Sequence, residues 1–269
     1  MLWKKGSDPV QINDASTFSV AFTPDSTFLV SGHGGKVKVW EVSTTRLHRE
    51  FNHGKTVWAL AVSEDGKYLA AGGREGTVKI WDLSTASQIK AWNAHSDWID
   101  ALSYSTCGKY LLSCCSNTIK VWETRSYDQH RLFDEGASTV KFIPNSKQFV
   151  SGHWSVKIWS VDDAQPLRTF NGHNSSVISI DVTRCGRYIV AGDYETNNVE
   201  LYNQNGHIHS YQAHSQSYNF AAFSPCGKFI VSGGVNDKTI CTWVNCAKLE
   251  EECGVATSSQ YDGTTIQGV

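Results

Sequence analysis

Three residues near the C-terminal end of the chain carry the side chains of a serine hydrolase. His214, Ser232 and Asp237 supply an imidazole, a hydroxyl and a carboxylate, the groups that together activate a serine for acyl transfer. Histidine recurs at regular intervals along the sequence, however, and a tryptophan or tyrosine follows each time, here Trp243. A recurring set with an aromatic donor is typical of a buried structural hydrogen-bond network. We therefore predict a structural role for these four residues and no catalytic residues in the chain.

The other candidates for chemistry lack the spacing that phosphates, metals or reactive thiols require. The glycine-rich segment 32–35 is expected in a turn between strands, not between a strand and a helix, so it does not match a phosphate loop. Cys107, Cys185 and Cys226 occupy one repeat position on different units, and the eight cysteines include no Cys-x-x-Cys pair. This pattern predicts reduced thiols, no metal site and no cofactor.

Composition and charge are those of an ordinary globular chain. The 269 residues are 40% hydrophobic and 19% charged, and the net charge of −2 gives no indication of a nucleic-acid or membrane surface. The first residues, Met1–Gly6, lack an apolar core, and the longest apolar run, Val57–Val62, is far too short to span a membrane. We therefore expect an intracellular protein of the cytoplasm, the nucleus or both, with no membrane contact and no direct nucleic-acid binding.

An aromatic residue returns at intervals of about 40 residues and closes a similar short phrase each time. In its commonest form the phrase is an apolar residue, lysine, a second apolar residue and tryptophan, as in Val37–Trp40 and Val78–Trp81. The six closing residues are Trp40, Trp81, Trp122, Trp159, Tyr202 and Trp243. A period of this length is typical of repeat proteins, in which each unit buries its apolar face only against its neighbours.

The second unit shows how each repeat is built. The apolar run Val57–Val62 predicts a strand that is buried on both faces. Tyr68–Gly72 and Thr77–Trp81 predict two further strands separated by short turns, and Gln88–Trp92 supplies a fourth. The histidine-containing segment His53–Thr56 precedes the first strand and is expected to be a loop. Each unit is thus predicted to be an antiparallel meander of four short strands.

These features resemble the WD-repeat (WD40) family. The family's Gly-His element is similar to Gly172–His173, and its Trp-Asp element is similar to Trp81–Asp82, with Trp40–Glu41 and Trp122–Glu123 as conservative variants. The resemblance extends over nearly the whole chain. It implies an all-β fold of the WD40 β-propeller type, in which four-stranded blades surround a central channel.

The resemblance also implies how the ring closes. We predict a single domain over residues 1–269 with seven blades, the last of them composed of residues 1–14 and 254–269 from the two termini. This closing blade has too few residues for four strands, so its first strand is expected to be missing. Six blades followed by a C-terminal tail is the alternative.

In this family a His, a Ser or Thr, an Asp and the Trp can form a structural hydrogen-bond network within one blade. The resemblance therefore implies the same role that the recurrence predicts for His214, Ser232, Asp237 and Trp243. Other units match the set only in part. The fourth unit carries Glu135–Gly136 in place of Gly-His, and we expect packing alone to hold it or its blade to be less rigid.

Three tryptophans, Trp58, Trp98 and Trp154, lie outside the repeat pattern. Trp58 falls inside a first strand and is expected in the core between blades. Trp98 precedes a first strand, and Trp154 lies in a turn between second and third strands, where other units place Arg74 and Tyr194. In the family's fold these positions share the rim that bears the histidine loops. Because Trp, Tyr and Arg dominate binding hot spots, we hypothesise a continuous partner-binding sector of Arg74, Trp98, Trp154 and Tyr194.

The resemblance implies a non-enzymatic scaffold or adaptor that binds other proteins, with the propeller itself monomeric inside a larger complex. One alternative is a substrate receptor of a cullin-type ubiquitin ligase, because Trp122–Arg125 resembles the Trp-Asp-x-Arg motif of some WD-repeat receptors, with Glu123 in place of Asp. A second alternative is an assembly factor in an RNA-processing complex, although the near-neutral charge is unfavourable for direct phosphate contacts.

Overall fold

The computed structural model describes residues 16–171, 173, 175–212, 214–215, 219–234 and 236–244, together with the backbone of residues 264–267. All regular secondary structure in these ranges is β-strand, arranged as successive four-stranded antiparallel sheets. We number these sheets blade one to blade six in chain order. The prediction of an all-β fold built from four-stranded blades is confirmed.

The first two blades share one long strand. Blade one contains β1 (Ser19–Phe22), β2 (Phe28–Gly32), β3 (Gly34–Glu41) and the first part of β4 (Leu47–Val62). The second part of β4 opens blade two, which continues with β5 (Tyr68–Gly73), β6 (Thr77–Asp82) and β7 (Gln88–Asn93). The two sheets are therefore joined by continuous strand rather than by a loop.

This continuity corrects one expectation, because the predicted loop His53–Thr56 is part of β4. The segment remains hydrogen-bonded to blade one, where the N–H of Val57 donates to the carbonyl of His33 at 2.9 Å. Gly54 has a φ of +88°, and this left-handed residue lets the chain turn toward blade two without leaving the strand. Backbone pairing across the segment, which the sequence pattern does not reveal, replaces the loop.

Blades three to five repeat the same meander. Blade three is formed by β8 (Ala101–Tyr104), β9 (Tyr110–Cys114), β10 (Ile119–Glu123) and β11 (Gln129–Phe133). Blade four is formed by β12 (Thr139–Phe142), β13 (Gln148–Gly152), β14 (Val156–Ser160) and β15 (Arg168–Phe170). Blade five is formed by β16 (Val177–Val182), β17 (Tyr188–Asp193), β18 (Asn198–Asn203) and β19 (Gly206–Gln212).

Blade six differs from the prediction in its outer strand. Its first three strands are β20 (Asn219–Phe223), β21 (Phe229–Gly234) and β22 (Thr239–Val244), and β23 (Thr264–Gln267) pairs with β22 as the fourth. The sequence pattern places residues 264–266 in the third strand of the closing blade instead. Residues 1–15, 245–263 and 268–269 lie outside the described residues. The closing blade and the number of blades therefore stay predictions.

The core lies between the blades. Five clusters of buried residues each join two successive blades, from blades one and two through to blades five and six. Between blades three and four, Phe133 packs edge-on against Phe149 and Trp159, with ring centroids 5.3 and 5.1 Å apart. Middle strands such as β9 are buried throughout for this reason, whereas the outer strand β7 is largely exposed. Each blade thus depends on its neighbours for burial.

Blades one and six expose apolar side chains on one face each. In blade one Val20 and Phe22 are exposed, and in blade six Phe220, Phe229 and Ile240 are exposed. Because successive side chains of a strand point to opposite faces, these residues lie on the face opposite the one that packs against blade two or blade five. These are the faces on which the predicted closing blade would pack.

Within the described part of the chain, no helix has the length and apolarity needed to cross a membrane.

Candidate partner-binding surface

A hydrogen-bond network inside the blades is most complete in blade three. Nε2 of His95 lies 2.7 Å from the hydroxyl of Ser113, and the indole N–H of Trp122 donates to the same hydroxyl at 2.8 Å. Nδ1 of His95 lies 2.9 Å from the hydroxyl of Thr118. Burial, with a further contribution from the ammonium of Lys120, lowers the pKa of His95 to about 4. The imidazole is therefore neutral at pH 7 and serves to join the histidine loop to the sheet.

The residues with hydrolase-like side chains form the corresponding network in blade six. Nε2 of His214 lies 2.6 Å from the hydroxyl of Ser232, and Nδ1 lies 3.1 Å from a carboxylate oxygen of Asp237. Trp243 packs beside them against Tyr211, with ring centroids 5.2 Å apart. His214 and Ser232 are buried, so the hydroxyl is not accessible to a substrate. The arrangement fits a structural role and not acyl transfer.

Blade one builds the network with a histidine that has no repeat spacing. Nε2 of His33 lies 2.8 Å from the hydroxyl of Ser31, which also accepts the indole N–H of Trp40 at 2.8 Å. His33 comes from the turn between β2 and β3, whereas His95 and His214 precede their blades. The repeat pattern does not predict this role for His33, because the recurring histidines lie in the segment before the first strand. The signal available was its place two residues after the serine.

Blades two and five have alanine at the serine position, with opposite outcomes. In blade five the hydroxyl of Tyr202 lies 2.7 Å from Nε2 of His173, so tyrosine supplies the hydroxyl that Ala191 lacks. In blade two no described side chain replaces the hydroxyl that Ala71 lacks, and Nε2 of His53 is buried without a hydrogen-bond partner among the described residues. Burial lowers the pKa of His53 as well. Blade two therefore contains an unsatisfied polar atom that the other blade avoids.

Blade four is connected without a histidine loop. The ammonium of Lys157 bonds the carboxylate of Glu135, and the indole of Trp159 donates to Ser151 at 2.8 Å. A side chain at Gly136 would place its Cβ 1.8 Å from the carbonyl oxygen of Ser116. Glycine is therefore required where the connecting segment passes the turn of blade three. We expected this blade to be held by packing alone or to be less rigid. An ion pair and the Trp–Ser hydrogen bond add to its packing.

Three exposed aromatic side chains and one arginine meet on the rim that bears the histidine loops. Trp58 and Trp98 are stacked, with ring centroids 6.0 Å apart and planes inclined by 12°, and Phe18 lies 4.4 Å from Trp58. The guanidinium of Arg74 lies 4.4 Å above the ring of Trp98. We call Phe18, Trp58, Trp98 and Arg74 the aromatic cluster. Phe18, Trp58 and Trp98 remain 40%, 36% and 42% exposed.

The position of Trp58 corrects the expectation that it lies in the core between blades. Val57 packs in the cluster between blades one and two, whereas Ala59 packs in the cluster between blades two and three. The register with β5 shifts between these two residues, so Trp58 is the extra residue of a β-bulge and projects toward the rim rather than into either cluster. The sequence showed an unbroken apolar run and gave no sign that one member of it is exposed.

The loop that carries Trp98 is fixed at both ends. The carboxylate of Asp97 accepts hydrogen bonds from the N–H of Trp98, at 2.7 Å, and from the hydroxyl of Ser116. The next residue, Ile99, is fully buried. Arg74 is held by its own N–H, which donates to the carbonyl of Thr56 at 3.1 Å. The exposed rings therefore project from backbone that is already ordered.

The predicted sector is only partly continuous. Arg74 and Trp98 are in contact, as the hypothesis requires. Trp154 and Tyr194 are exposed and lie in the matching turns of blades four and five. Among the described side chains, the ring of Trp154 contacts the imidazole of His153, with centroids 5.5 Å apart, and does not reach the Trp58–Trp98 stack. The sequence thus predicted one half of the cluster and missed Trp58 and Phe18.

The opposite rim contains clefts between successive blades. One, of about 520 Å³, lies between blades one and two. Another, of about 380 Å³, lies between blades two and three and is lined by Tyr68, Tyr104, Cys107 and Arg125 among others. Within the described ranges, no group of three or more His, Cys, Asp and Glu side chains could hold a metal ion.

Six antiparallel meanders packed blade against blade, with histidine and serine bridged inside the sheets, define a repeat protein of the β-propeller class. The family model of the WD domain, G-beta repeat (WD40) matches residues 10–41, 45–82, 86–123, 164–203 and 205–244. The chain belongs to the WD40 family, and the resemblance predicted from its sequence is confirmed. The matched ranges leave out residues 124–163, the segment that contains most of blade four.

Several curated relatives are similar to parts of this chain. Target of rapamycin complex subunit wat1 of Schizosaccharomyces pombe is 25% identical over 84% of this chain and 77% of its own length. Transducin beta-like protein 2 of Homo sapiens is 27% identical over 54% of this chain, which spans 37% of that protein. Transcription initiation factor TFIID subunit 5 of Caenorhabditis elegans is 26% identical over 65% of this chain, which spans 22% of that protein. The chain thus covers well under half of the latter two relatives.

Proposed function

We propose that the protein is a non-enzymatic scaffold that holds a partner protein on the rim bearing the histidine loops. The observation that carries this proposal is the aromatic cluster of Phe18, Trp58, Trp98 and Arg74, which is ordered and exposed. Proteins of the WD40 family generally act as interaction scaffolds in complexes. Trp154 and Tyr194, on the next two blades, extend the proposed surface around the rim.

The cluster has the physical properties of a binding hot spot. Tryptophan buries a large area on binding while losing little side-chain entropy, and arginine is likewise enriched at binding hot spots. Their stacking in the unbound protein means that much of the ordering has already taken place, which favours affinity. The rings leave apolar surface in water that folding alone does not require. A partner that covers them gains this burial.

The names of two similar proteins agree with membership of a complex. Wat1 is named as a subunit of the Target of rapamycin complex, and the TFIID relative is named as a subunit of a transcription initiation factor. We propose that this chain likewise acts inside a multiprotein complex, as a monomeric propeller, in the cytoplasm or the nucleus. Direct nucleic-acid or membrane binding is not part of the proposal, because the net charge of −2 does not favour it.

The test is affinity purification from cells, with identification of the copurifying proteins. A Trp58→Ala/Trp98→Ala variant is expected to lose partners, since removal of one anchor costs about 2 kcal/mol, or roughly thirty-fold in affinity. Ile208→Ala is the matched control, because Ile208 is an exposed apolar residue on the outer strand of blade five. Circular dichroism must show that all three proteins are folded. Partners retained by the double variant would contradict the proposal.

A second candidate function is that of a substrate receptor for a cullin-type ubiquitin ligase. Arg125 of the Trp122–Arg125 segment is exposed and lines the cleft between blades two and three on the opposite rim. E3 ubiquitin-protein ligase COP1 of Arabidopsis thaliana is 27% identical over 65% of this chain, which spans 27% of that protein. Copurification of a cullin adaptor that is lost in Arg125→Ala, and kept in the tryptophan variant, would favour this function.

A further inference from the structure

Asp100 stands beside the aromatic cluster at a position that the repeat defines. Phe18, Trp58 and Asp100 each immediately precede the first-strand residue that pairs with one matching position of the second strand, namely Gly32, Gly72 and Cys114 in blades one, two and three. Phe18 and Trp58 are neighbours in space. Asp100 is therefore the next member of the same series around the rim. It follows Trp98 by two residues, with buried Ile99 between them, so Trp98 and Asp100 lie on one side of the extended segment.

The carboxylate of Asp100 has no partner among the described residues. It receives no hydrogen bond and forms no ion pair there, and the nearby base Arg74 stacks on Trp98 instead. Although part of its surface is open to solvent, burial by the surrounding protein raises the pKa of Asp100 to about 6, and the carboxylate of Asp97 adds to the effect. At pH 7 the group is ionised, in surroundings that stabilise its charge less well than water does. An unpaired carboxylate of this kind is stabilised by a cation that arrives from outside.

The aromatic rings favour the same type of ligand. A guanidinium above an indole gains a cation–π and stacking interaction, and Arg74 already makes this contact with Trp98 at 4.4 Å. Trp58 offers a second exposed indole beside it. A carboxylate next to stacked indoles binds arginine in preference to leucine, which leaves the charge unpaired, and in preference to glutamate, which is repelled.

We propose that the aromatic cluster binds an arginine side chain of the partner, with the guanidinium paired to Asp100 and stacked against the exposed indoles of Trp58 and Trp98. This inference rests on the proposed scaffold function and names the chemistry that its partner presents. The partner segment is a basic peptide or loop. Asp97 is already engaged by Ser116 and by the backbone of Trp98, which leaves Asp100 as the pairing group.

The probes are four pools of fluorescein-labelled heptapeptides with randomised flanks and a fixed central Arg, Lys, Leu or Glu. Fluorescence anisotropy should show the Arg pool binding most tightly. Asp100→Asn should weaken it about tenfold, the loss expected for one charge-assisted hydrogen-bonded pair. Asp163→Asn is the matched control, because Asp163 is exposed and lies in a turn of the opposite rim. Equal binding of the Leu pool, or an unchanged Asp100→Asn protein, would overturn the inference.

Two further measurements separate the possible failures. Thermal unfolding at pH 8 should show Asp100→Asn to be no less stable than the wild type, because it removes an unpaired charge; a lower Tm would mean that Asp100 serves folding. One outcome of the cellular purification is that Trp58→Ala/Trp98→Ala loses partners that Asp100→Asn keeps. This result would support the proposed partner-binding surface and reject arginine recognition. Partners kept by both variants would reject both proposals.

Discussion

A single hydroxyl decides whether the histidine and tryptophan of a blade are satisfied. Ser113 accepts the indole N–H of Trp122 and bonds His95, so one small side chain serves two larger ones. Where alanine takes its place in blade five, the tyrosine hydroxyl of Tyr202 reaches the histidine directly. Where alanine takes its place in blade two, Nε2 of His53 has no hydrogen-bond partner within the part of the chain that the structure describes. The effect of a substitution at this serine position on stability therefore depends on whether the paired aromatic residue is tryptophan or tyrosine.

Ala71→Ser should stabilise the protein. The new hydroxyl would stand where Ser113 stands in blade three and pair with Nε2 of His53, removing a buried unsatisfied atom. We expect a gain of about 1 kcal/mol in the free energy of unfolding. Urea denaturation followed by circular dichroism measures it. The matched variant Ser113→Ala should lose about 2 kcal/mol of the free energy of unfolding, because it leaves both Trp122 and His95 without their partner. A change of the same sign and size in the two variants would contradict the prediction.

The buried histidine of blade three should make stability depend on pH. The pKa of His95 is lowered to about 4, mainly by burial, while an unfolded imidazole titrates near pH 6.5. Between pH 6.5 and about pH 4 the imidazole of His95 is therefore protonated in the unfolded chain and neutral in the folded chain. The stability contribution is present above pH 6.5 and is lost as the pH falls toward about 4, by up to roughly 3 kcal/mol.

His95→Gln provides the comparison for this pH dependence. The variant should be less stable at pH 7, because its amide cannot reproduce both imidazole bonds, but its stability should fall less between pH 6.5 and pH 4.5. Urea midpoints at several pH values give the difference between the two proteins. Parallel pH profiles for wild type and variant would show that His95 does not titrate as described.

At the scale of the element, the turn between first and second strands uses a side chain to close itself. In blades one and two the carboxylates of Asp25 and Asp65 each accept two hydrogen bonds. One comes from a side-chain hydroxyl at 2.6 Å and the other from a backbone N–H at 3.0 Å. In blade three the thiol of Cys107 takes this place, 3.5 Å from the hydroxyl of Ser105. Sulfur thus occupies a position built for an oxygen anion. Although burial acts in the opposite direction, hydrogen bonds from Ser105 and Lys109 lower the pKa of Cys107.

Cys107→Asp should therefore be tolerated and mildly stabilising. A carboxylate at this position would make the shorter, charge-assisted bonds seen at Asp65, worth about 0.5–1 kcal/mol over the thiol. Chemical denaturation at pH 7 measures the change. Cys107→Ala, which removes the acceptor altogether, should be less stable than the wild type. An aspartate variant as unstable as the alanine variant would show that the thiol makes packing contacts that the carboxylate cannot.

Most elements could be predicted from sequence because each repeat states the same pattern. The aromatic residue that marks the period is the last residue but one of the third strand in every unit, and these strands are found close to their predicted bounds. The continuity of β4 could not be predicted, since a histidine and a glycine between two strands are typical of a loop. Its pairing with His33 is a contact between distant positions that no local pattern encodes.

The candidate site was harder to predict than the fold for a related reason. Trp98 and Arg74 were identified because they depart from the repeat. Trp58 was assigned to the core because an unbroken apolar run does not show which of its residues faces out. The sequence carries no signal for Asp100, because its lack of a partner among the described residues and its position in the series with Trp58 are both properties of the folded arrangement.

At the scale of the whole molecule, the described blades are joined in sequence by five interblade clusters. The exposed apolar faces of blades one and six are where a closing blade would complete the ring. The composite blade from residues 1–14 and 254–269 remains a prediction, and β23 is the described segment that bears on it. In the structure β23 belongs to blade six, opposite Thr239–Thr242.

A cysteine at residue 265 should reveal where this strand lies. Residue 265 stands directly opposite Cys241 in the antiparallel pair, and such pairs have Cα separations within the range of a disulfide. Mild oxidation of Thr265→Cys should therefore give a disulfide with Cys241, identified by mass spectrometry. Ile266→Cys, at the position paired with Ile240 rather than with Cys241, is the control that should not link. Failure of both to link would favour placement of the strand in a separate closing blade.

The shared strand β4 has a consequence for how the protein opens. Blades three to five are linked to their neighbours by segments outside the strands, so one of these blades can separate without loss of strand pairing. Blades one and two cannot separate unless the strand hydrogen bonds of β4 break. Their amide hydrogens should then exchange with solvent as one cooperative unit, at a common rate under native conditions. Under tension applied along the chain, the same two blades should unfold in a single step, and Trp58, which lies on β4, would leave the aromatic cluster in that step.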